Sequence, residues 1–206
     1  MSDGEGGFHL FDKGKNAYIK IHGLEPDTGQ YQGNEYQQFQ MVFDAVSETD
    51  SEDVGRIPFY PSSKITIQDT AEHTSDLGKL LRAAGILEDV LSELLESEED
   101  VEAVVEGDAR YVAENHEENV ELGQAIAQHL KDKVLVAGTK LNNENDPDYS
   151  LVKDPHRLAD SDPFSGGDGS AASSSEGTSE DNSEDDSGDE GGDGDVIFGD
   201  DEGDNQ

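Results

Sequence analysis

Cysteine and tryptophan are both missing from this 206-residue chain, and basic residues are scarce. Without a thiol the chain has no disulfide, no thiolate metal site and no cysteine nucleophile. Its apolar runs are shorter than the roughly 18 residues that a membrane-spanning helix needs, so we expect no membrane association. The first residues, MSDGEGGFHLFDKGK, lack the basic start and apolar centre of a signal peptide. These absences together predict a soluble, cytoplasmic protein.

The sequence also lacks the common catalytic signatures. The run His116, Glu117 and Glu118 does not have the HExxH spacing that places two imidazoles on one helical face. The chain has no GxSxG motif, no P-loop and no dinucleotide-binding glycine fingerprint. Its carboxylate-rich Gly segments attract cations as a diffuse atmosphere and not at a defined site. We therefore expect no enzymatic activity, no metal site and no cofactor.

Acidic residues outnumber basic ones by 50 to 13, which gives a formal net charge of −37 at pH 7. Residues 160–206 hold 17 of the acidic residues and no Lys or Arg, which leaves 33 acidic and all 13 basic residues in the first 159. Each part is therefore acidic by itself. One explanation is a molar-salt cytoplasm, where a Debye length of about 3 Å screens self-repulsion. The other is binding of basic partners such as histones; the acidity of the first 159 residues favours high salt.

Alternation with a period of two predicts three strands. The stretch 36–46, YQQFQMVFDAV, alternates apolar and polar side chains, which is typical of a half-buried strand. Residues 16–24 and 54–60 alternate in the same way, and the Pro-, Gly- and Asn-rich residues 25–35 predict a connector between the first two strands. Pro58 in the third strand fits an edge position, because proline donates no hydrogen bond to a neighbouring strand.

Helical spacing of leucines begins after the third strand. Thr74 or Ser75 can cap a helix that Gly85 ends. Residues 86–95 continue with the same spacing, and residues 119–131 predict a further helix.

The remaining segments complete a fold prediction. Residues 64–68, KITIQ, fit either a short strand or a bent continuation of the third strand, and strand patterns return at 133–142 and 149–153. The sequence leaves the state of residues 96–118 open. We predict a mainly β fold with an α insert: a small five-stranded barrel with a helical segment, about residues 74–131, between strands 3 and 4.

The chain is predicted to have three parts. Residues 1–15 form a flexible lead-in with possible apolar anchors, and residues 16–159 form the folded domain. Residues 160–206, made mostly of Gly, Ser, Asp and Glu, are too polar to offset the entropy of ordering and should be disordered. One apolar island interrupts that tail and consists of Val196, Ile197 and Phe198.

The order of segments resembles a known family. The segments are YIKIHGL, FQMVFDAV, FYPSSKITI leading into SDLGKLLRAAG, KVLVAGTKLN and YSLVKDP. Over residues 16–155 this order resembles small phage- and plasmid-borne proteins with an oligonucleotide/oligosaccharide-binding (OB) fold, which bind single-stranded DNA or act in replication. The acidic tail is similar to those of bacterial single-stranded DNA-binding proteins, whose apolar tips recruit partners. With the acidic domain, the chain looks like a haloarchaeal or haloarchaeal-virus member, which would place a viral protein in the host cytoplasm.

In such a barrel the outward residues of the first three strands would form one surface. They are Tyr18, Lys20, His22, Tyr36, Gln38, Gln40, Arg56 and Tyr60. Bases stack on flat rings with about 1–3 kcal/mol each and little sequence preference, so this mixture suits single-stranded nucleic acid. The alternative is that these tyrosines merely have high strand propensity. Further candidate cations are Lys131, Lys133 and Lys140.

The sequence and its resemblance together predict a single-stranded DNA-binding protein of replication or recombination, whose oligomeric state stays open. The tail would recruit replication or recombination proteins through residues 196–198, inhibit the domain by competing with DNA, or only keep the protein soluble. Two other functions stay possible: an acidic chaperone or adaptor for basic proteins, and a structural component of a virion. The acidic domain should repel phosphates, but in molar salt that repulsion is screened and stacking is the main term.

Overall fold

The computed structural model describes residues 7–11, 15–68, 70 and 73–165. The chain divides into units 1–169 and 170–206, and all described residues lie in the first. The elements of that part are, in order, β1 (Asn16–Tyr31), β2 (Asn34–Ser47), β3 (Val54–Phe59), β4 (Lys64–Thr66), α1 (Asp76–Ala84), α2 (Leu87–Leu94), α3 (Glu98–Glu106), β5 (Arg110–Val112), α4 (His116–Leu130), β6 (Val134–Leu141) and β7 (Ser150–Leu158).

Five of these strands form one antiparallel sheet in the order β3-β2-β1-β6-β7. The helices lie in the chain between β3 and β6. In chain order, these two are the third and fourth of the five strands that form this sheet. The mainly β fold with a helical insert is therefore confirmed. Strands β4 and β5 form a separate two-stranded ribbon, which the sequence did not predict. Pro58 lies in β3, at the edge of the sheet, as its missing N–H group requires.

The sheet is not a closed barrel, which corrects the prediction. Strands β3 and β7 contact each other, but in the described part of the chain no ladder of hydrogen bonds joins them. The N-terminal segment, residues 8–11, lies between them instead. The His9 N–H donates to the Arg56 carbonyl at 2.7 Å, and the His9 carbonyl accepts from the Ser150 N–H at 2.8 Å. The N-terminal segment thus takes up hydrogen bonds from both edges.

Side chains fix the N-terminal segment in place. Phe11 is only 2% exposed, and its N–H donates to Ser150 Oγ at 2.9 Å. The His9 imidazole lies 2.6 Å from Asp53 Oδ1, and a Cβ at Gly55 would collide with the His9 ring. Of the apolar residues Phe8, Leu10 and Phe11, which the sequence offers as anchors, Phe11 is buried and Leu10 is 44% exposed.

Strands β1 and β2 form a long hairpin, so the predicted connector at residues 25–35 is wrong. The strands run on to Tyr31 and from Asn34, and only Gln32 and Gly33 form the turn. Both have positive φ, 52° and 82°, as a type I′ turn requires. The connector has local turn composition, but pairing with β2 along its whole length overrides it.

Helix α4 covers the inner side of this hairpin. A Cβ at Gly123 would stand 3.0 Å from Leu24 and 3.1 Å from Phe39, so the helix backbone approaches the sheet closely. Helix α1 packs against β7 and begins at the N-cap Ser75, whose hydroxyl accepts from the Gly78 N–H. The residues left open by the sequence, 96–118, form α3, β5 and the start of α4. Among the described residues, no helix is both long and apolar enough to cross a membrane.

Candidate nucleic-acid interface

The register of the first three strands places alternate residues on one outer face of the sheet. Lys20 lies opposite Asp44, and Asp44 lies opposite Arg56. A β-bulge in β1 between Ile21 and Gly23 shifts the alternation, so that odd-numbered residues of β1 share the outer face beyond it.

The outer face continues past the end of β3, because the chain after Phe59 stays hydrogen-bonded to β2. The Phe39 N–H donates to the Pro61 carbonyl at 3.0 Å, and Gln38 forms a β-bridge with Ser62. The same register brings Tyr60 beside Gln40 and Lys64 beside Tyr36. Residues far apart in the sequence therefore share one strip of surface.

The structure places the eight predicted residues on this face, and seven of them fall into two separate groups. We call the first the charged row; it consists of Lys20, His22, Asp44 and Arg56. We call the second the tyrosine patch; it consists of Tyr36, Gln38, Gln40, Tyr60 and Lys64. Tyr18 lies beyond the charged row, opposite Val46. Ten residues of β2 separate that position from Tyr36, a span of about 33 Å along the strand.

The cations of the charged row are already paired with carboxylates. The two oxygens of Asp44 lie 3.1 Å from His22 Nδ1 and 3.1 Å from Arg56 Nε. The Lys20 ammonium lies 3.3 Å from Asp162, a residue of the predicted tail. Because Lys20 and Arg56 each have a carboxylate neighbour, the charged row is not preorganised to bind an anion.

The Lys20 contact also acts on Asp162. Burial raises the pKa of Asp162, but hydrogen bonds with the Phe164 N–H, Ser165 and Lys20 outweigh it and leave that pKa below its ordinary value. Asp162 therefore keeps its charge, and its pairing with Lys20, to a lower pH than an isolated aspartate would.

The ring of Tyr36 packs over a glycine of the neighbouring strand. Gly29 lies opposite Tyr36, and a Cβ there would collide with the tyrosine ring and stand 2.8 Å from Gln38 Oε1. The ring thus covers the backbone of β1, while 40% of the residue stays exposed. A ring packed on one side and open on the other offers a platform on which a base can stack.

Tyr60 is the second exposed ring of the patch, at 42% exposure. Its pKa is raised above the usual 10.0 by burial and by the nearby Tyr149 and Asp27. Tyr149 in turn packs against Phe8 with ring centroids 5.4 Å apart. Sequence reasoning missed these two aromatics, because neither belongs to an alternating segment of the first three strands.

A cleft of about 430 Å³ opens beside Tyr36, between the hairpin and the β4–β5 ribbon. Its lining residues are Glu35, Tyr36, Gln37, Ser62, Ser63, Lys64, Val112, Ala113 and Glu114. Lys64 makes no ion pair with any residue that the structure describes, unlike the cations of the charged row. Lys64 is not among the predicted residues, because it lies outside the three strands that alternate clearly.

A buried asparagine supports the floor of this cleft. Asn119 of α4 is fully buried and accepts a hydrogen bond from the Ser63 hydroxyl at 2.5 Å. Its amide nitrogen donates to the Gln38 carbonyl at 3.0 Å and to Gln37 Oε1 at 3.3 Å. This network ties α4 to β2 directly beneath the tyrosine patch.

The remaining predicted residues lie elsewhere. Lys131 and Lys133 flank the turn between α4 and β6, and Lys140 lies on β6 opposite Leu151, so they join neither group. The apolar island at residues 196–198 lies outside the described residues. No protein-family model, curated protein or solved structure that we compared with the chain matches it.

Proposed function

We propose that this protein binds single-stranded DNA through the tyrosine patch, as a non-enzymatic component of replication or recombination. The observation that carries the proposal is the pair Tyr36 and Tyr60, two exposed rings on one outer face. Gln38, whose amide nitrogen donates to Asp27 Oδ2 at 2.8 Å, lies between them, and Gln40 lies beside Tyr60. The Gln40 amide can hydrogen-bond to base edges or the sugar–phosphate chain.

The architecture supports this assignment. An OB fold is a five-stranded, partly open Greek-key barrel that binds oligonucleotides on its second and third strands and the adjoining loops. Here five strands form one sheet, and its two edge strands contact each other. The tyrosine patch lies on β2 and on the segment that follows β3, and Tyr149 precedes the last strand. The position of the patch on the second strand and after the third supports the proposal.

The charges around the tyrosine patch determine which residue contacts phosphate and how binding depends on salt. Lys20 and Arg56 of the charged row are paired, so we assign phosphate contact to Lys64, a cation beside Tyr36 that makes no ion pair with any described residue. Two carboxylates, Glu35 and Glu114, line the same cleft and oppose a phosphate chain at low salt. Because high salt screens them and leaves stacking intact, binding should persist where most basic DNA-binding proteins dissociate.

The test is fluorescence anisotropy of a labelled oligo-dT with the full chain, from low salt to about 3 M KCl, where the screening length is below about 3 Å. The variant Tyr36→Ala/Tyr60→Ala should bind at least about 30-fold more weakly, at about 1 kcal/mol or more for each lost ring. The matched variant Tyr36→Phe/Tyr60→Phe keeps both rings and should bind like the parent.

Circular dichroism of each variant shows whether the fold is kept. Equal binding of the parent and the folded Ala double variant would exclude the tyrosine patch as the interface. Absence of oligo-dT binding by the parent at every salt concentration would exclude the function.

A further inference from the structure

A groove between α2 and α3 forms a second surface. Its residues come later in the sequence than those of the tyrosine patch. The two helices leave a groove of about 370 Å³ between them. Its lining residues are Glu88, Ser92, Glu98, Val101, Glu102, Val105 and Glu106. On α3 these residues follow the spacing i, i+3, i+4, i+7 and i+8, so they form one continuous face of the helix.

The floor of this groove is apolar and incompletely covered. Val104 is the one residue of α3 that is fully buried, at 3% exposure. Val101 and Val105 pack against the core from the side but stay half-buried at the groove. Two aliphatic side chains therefore remain available to a ligand.

The rim of the groove is strongly acidic. Residues 87–106 carry nine Asp or Glu and no Lys or Arg. The groove-lining Glu88, Glu98, Glu102 and Glu106 have no ion pair among the residues that the structure describes. Elsewhere in this region Glu93 is paired, with His129 at 2.8 Å. The groove thus combines unpaired carboxylates with an apolar floor.

We propose that the α2–α3 groove binds a basic amphipathic segment of a partner protein, whose aliphatic side chains contact Val101 and Val105 while its Lys or Arg side chains pair with the glutamate rim. Charge complementarity selects this occupant. A nucleic acid would meet four carboxylates, and the chain's own apolar island, GDVIFGDDEG, is flanked by acidic residues and would be repelled. This inference does not depend on DNA binding.

The test uses the full chain and a short labelled peptide of Leu, Ala and Lys that forms one apolar and one basic face. Binding is measured by fluorescence anisotropy. Replacing Glu98→Gln/Glu102→Gln in the groove should weaken binding between about two- and 30-fold, because two exposed ion pairs are lost. The matched control Glu99→Gln/Asp100→Asn removes two charges from residues of the same helix that do not line the groove and should bind like the parent.

The contribution of the apolar groove floor to binding is tested separately. Val101→Ser should weaken binding at both low and high salt, because its contribution is not screened, and circular dichroism establishes that the variant is folded. Changing each Leu of the peptide to Ser, or each Lys to Glu, should abolish binding. Equal losses for the groove and control double variants would show mere attraction to an acidic surface and would overturn the proposal, as would absence of parent binding.

Discussion

The ring of Tyr36 occupies the space that a side chain at Gly29 would need on the neighbouring strand. This contact fixes the platform of the proposed interface. Gly29→Ala should therefore displace the ring and weaken oligo-dT binding about fivefold or more, which corresponds to about 1 kcal/mol of stacking. Gly23→Ala is the control, because no atom lies within 4 Å of a Cβ at that position, and it should bind like the parent.

Asp44 should restrain binding at low salt, since it pairs with both His22 and Arg56. Asp44→Asn removes its charge and frees Arg56, so oligo-dT affinity should rise about two- to fivefold at low ionic strength. The difference should vanish in about 1 M salt, where the Debye length is about 3 Å. Asp132→Asn changes the net charge equally on an exposed turn and should leave the affinity unchanged; equal gains in the two variants would show a net-charge effect only.

In a titration followed by phenolate absorbance, Tyr60 should ionise at a higher pH than an ordinary tyrosine. Its pKa is raised above 10.0 by burial, Tyr149 and Asp27, so the folded state favours the neutral phenol. The resulting stabilisation is complete below the usual pKa and is lost as the pH rises through the folded-state value. Tyr60→Phe should remove one late-titrating group, and Asp27→Asn should lower the pKa of Tyr60. A titration unchanged by Asp27→Asn would contradict the contribution assigned to Asp27.

Asn119 should be important for stability, because its neighbours are buried with it. Asn119→Ala leaves the Ser63 hydroxyl and the Gln38 carbonyl without their partner and should cost about 1–3 kcal/mol of unfolding free energy. Gln124→Ala, at an exposed position of the same helix, should change that free energy by less than about 0.5 kcal/mol. Urea unfolding followed by circular dichroism measures both variants, and similar values would contradict a structural role for the network.

The two serine caps of the helical insert should differ in strength. Ser75 Oγ accepts from the Gly78 N–H at 3.1 Å and also from the Thr66 N–H at 3.0 Å, whereas Ser97 Oγ only caps α3. Ser75→Ala should therefore cost about 1–2 kcal/mol and Ser97→Ala about 0.5–1 kcal/mol in the same unfolding assay. The reverse order would show that the Thr66 contact contributes nothing.

Period-two alternation predicted which side chains of each strand share a face, and the expected pairing of the first three strands brought the eight candidate residues onto one surface. The alternation did not reveal the pairing of their charges. Asp44 belongs to the alternating set, so its position could have been foreseen, but its contact with His22 depends on the bulge in β1. The partner of Lys20 lies 142 residues away, at Asp162, and no local pattern links them.

The fold, like the candidate site, was predictable in its local features but not in its contacts between distant segments. Leucine spacing and a serine cap located α1, whereas the composition of residues 25–35 pointed to a loop where the ladder with β2 enforces a strand. Asn119 carries no sequence signal, because an asparagine in a helix is ordinarily exposed and only the tertiary fold buries it. Local chemistry thus located the helix start and the strand faces, and contacts between distant segments decided the rest.

The N-terminal segment between β3 and β7 sets an order of events in folding. The Phe11 N–H donates to Ser150 Oγ, 139 residues later in the sequence, so this contact closes a very long loop. Such non-local contacts form slowly, so the seam between the edges should close last. Until then both edge strands expose unpaired N–H and C=O groups, and this is the stage at which nascent chains are most prone to pair with one another.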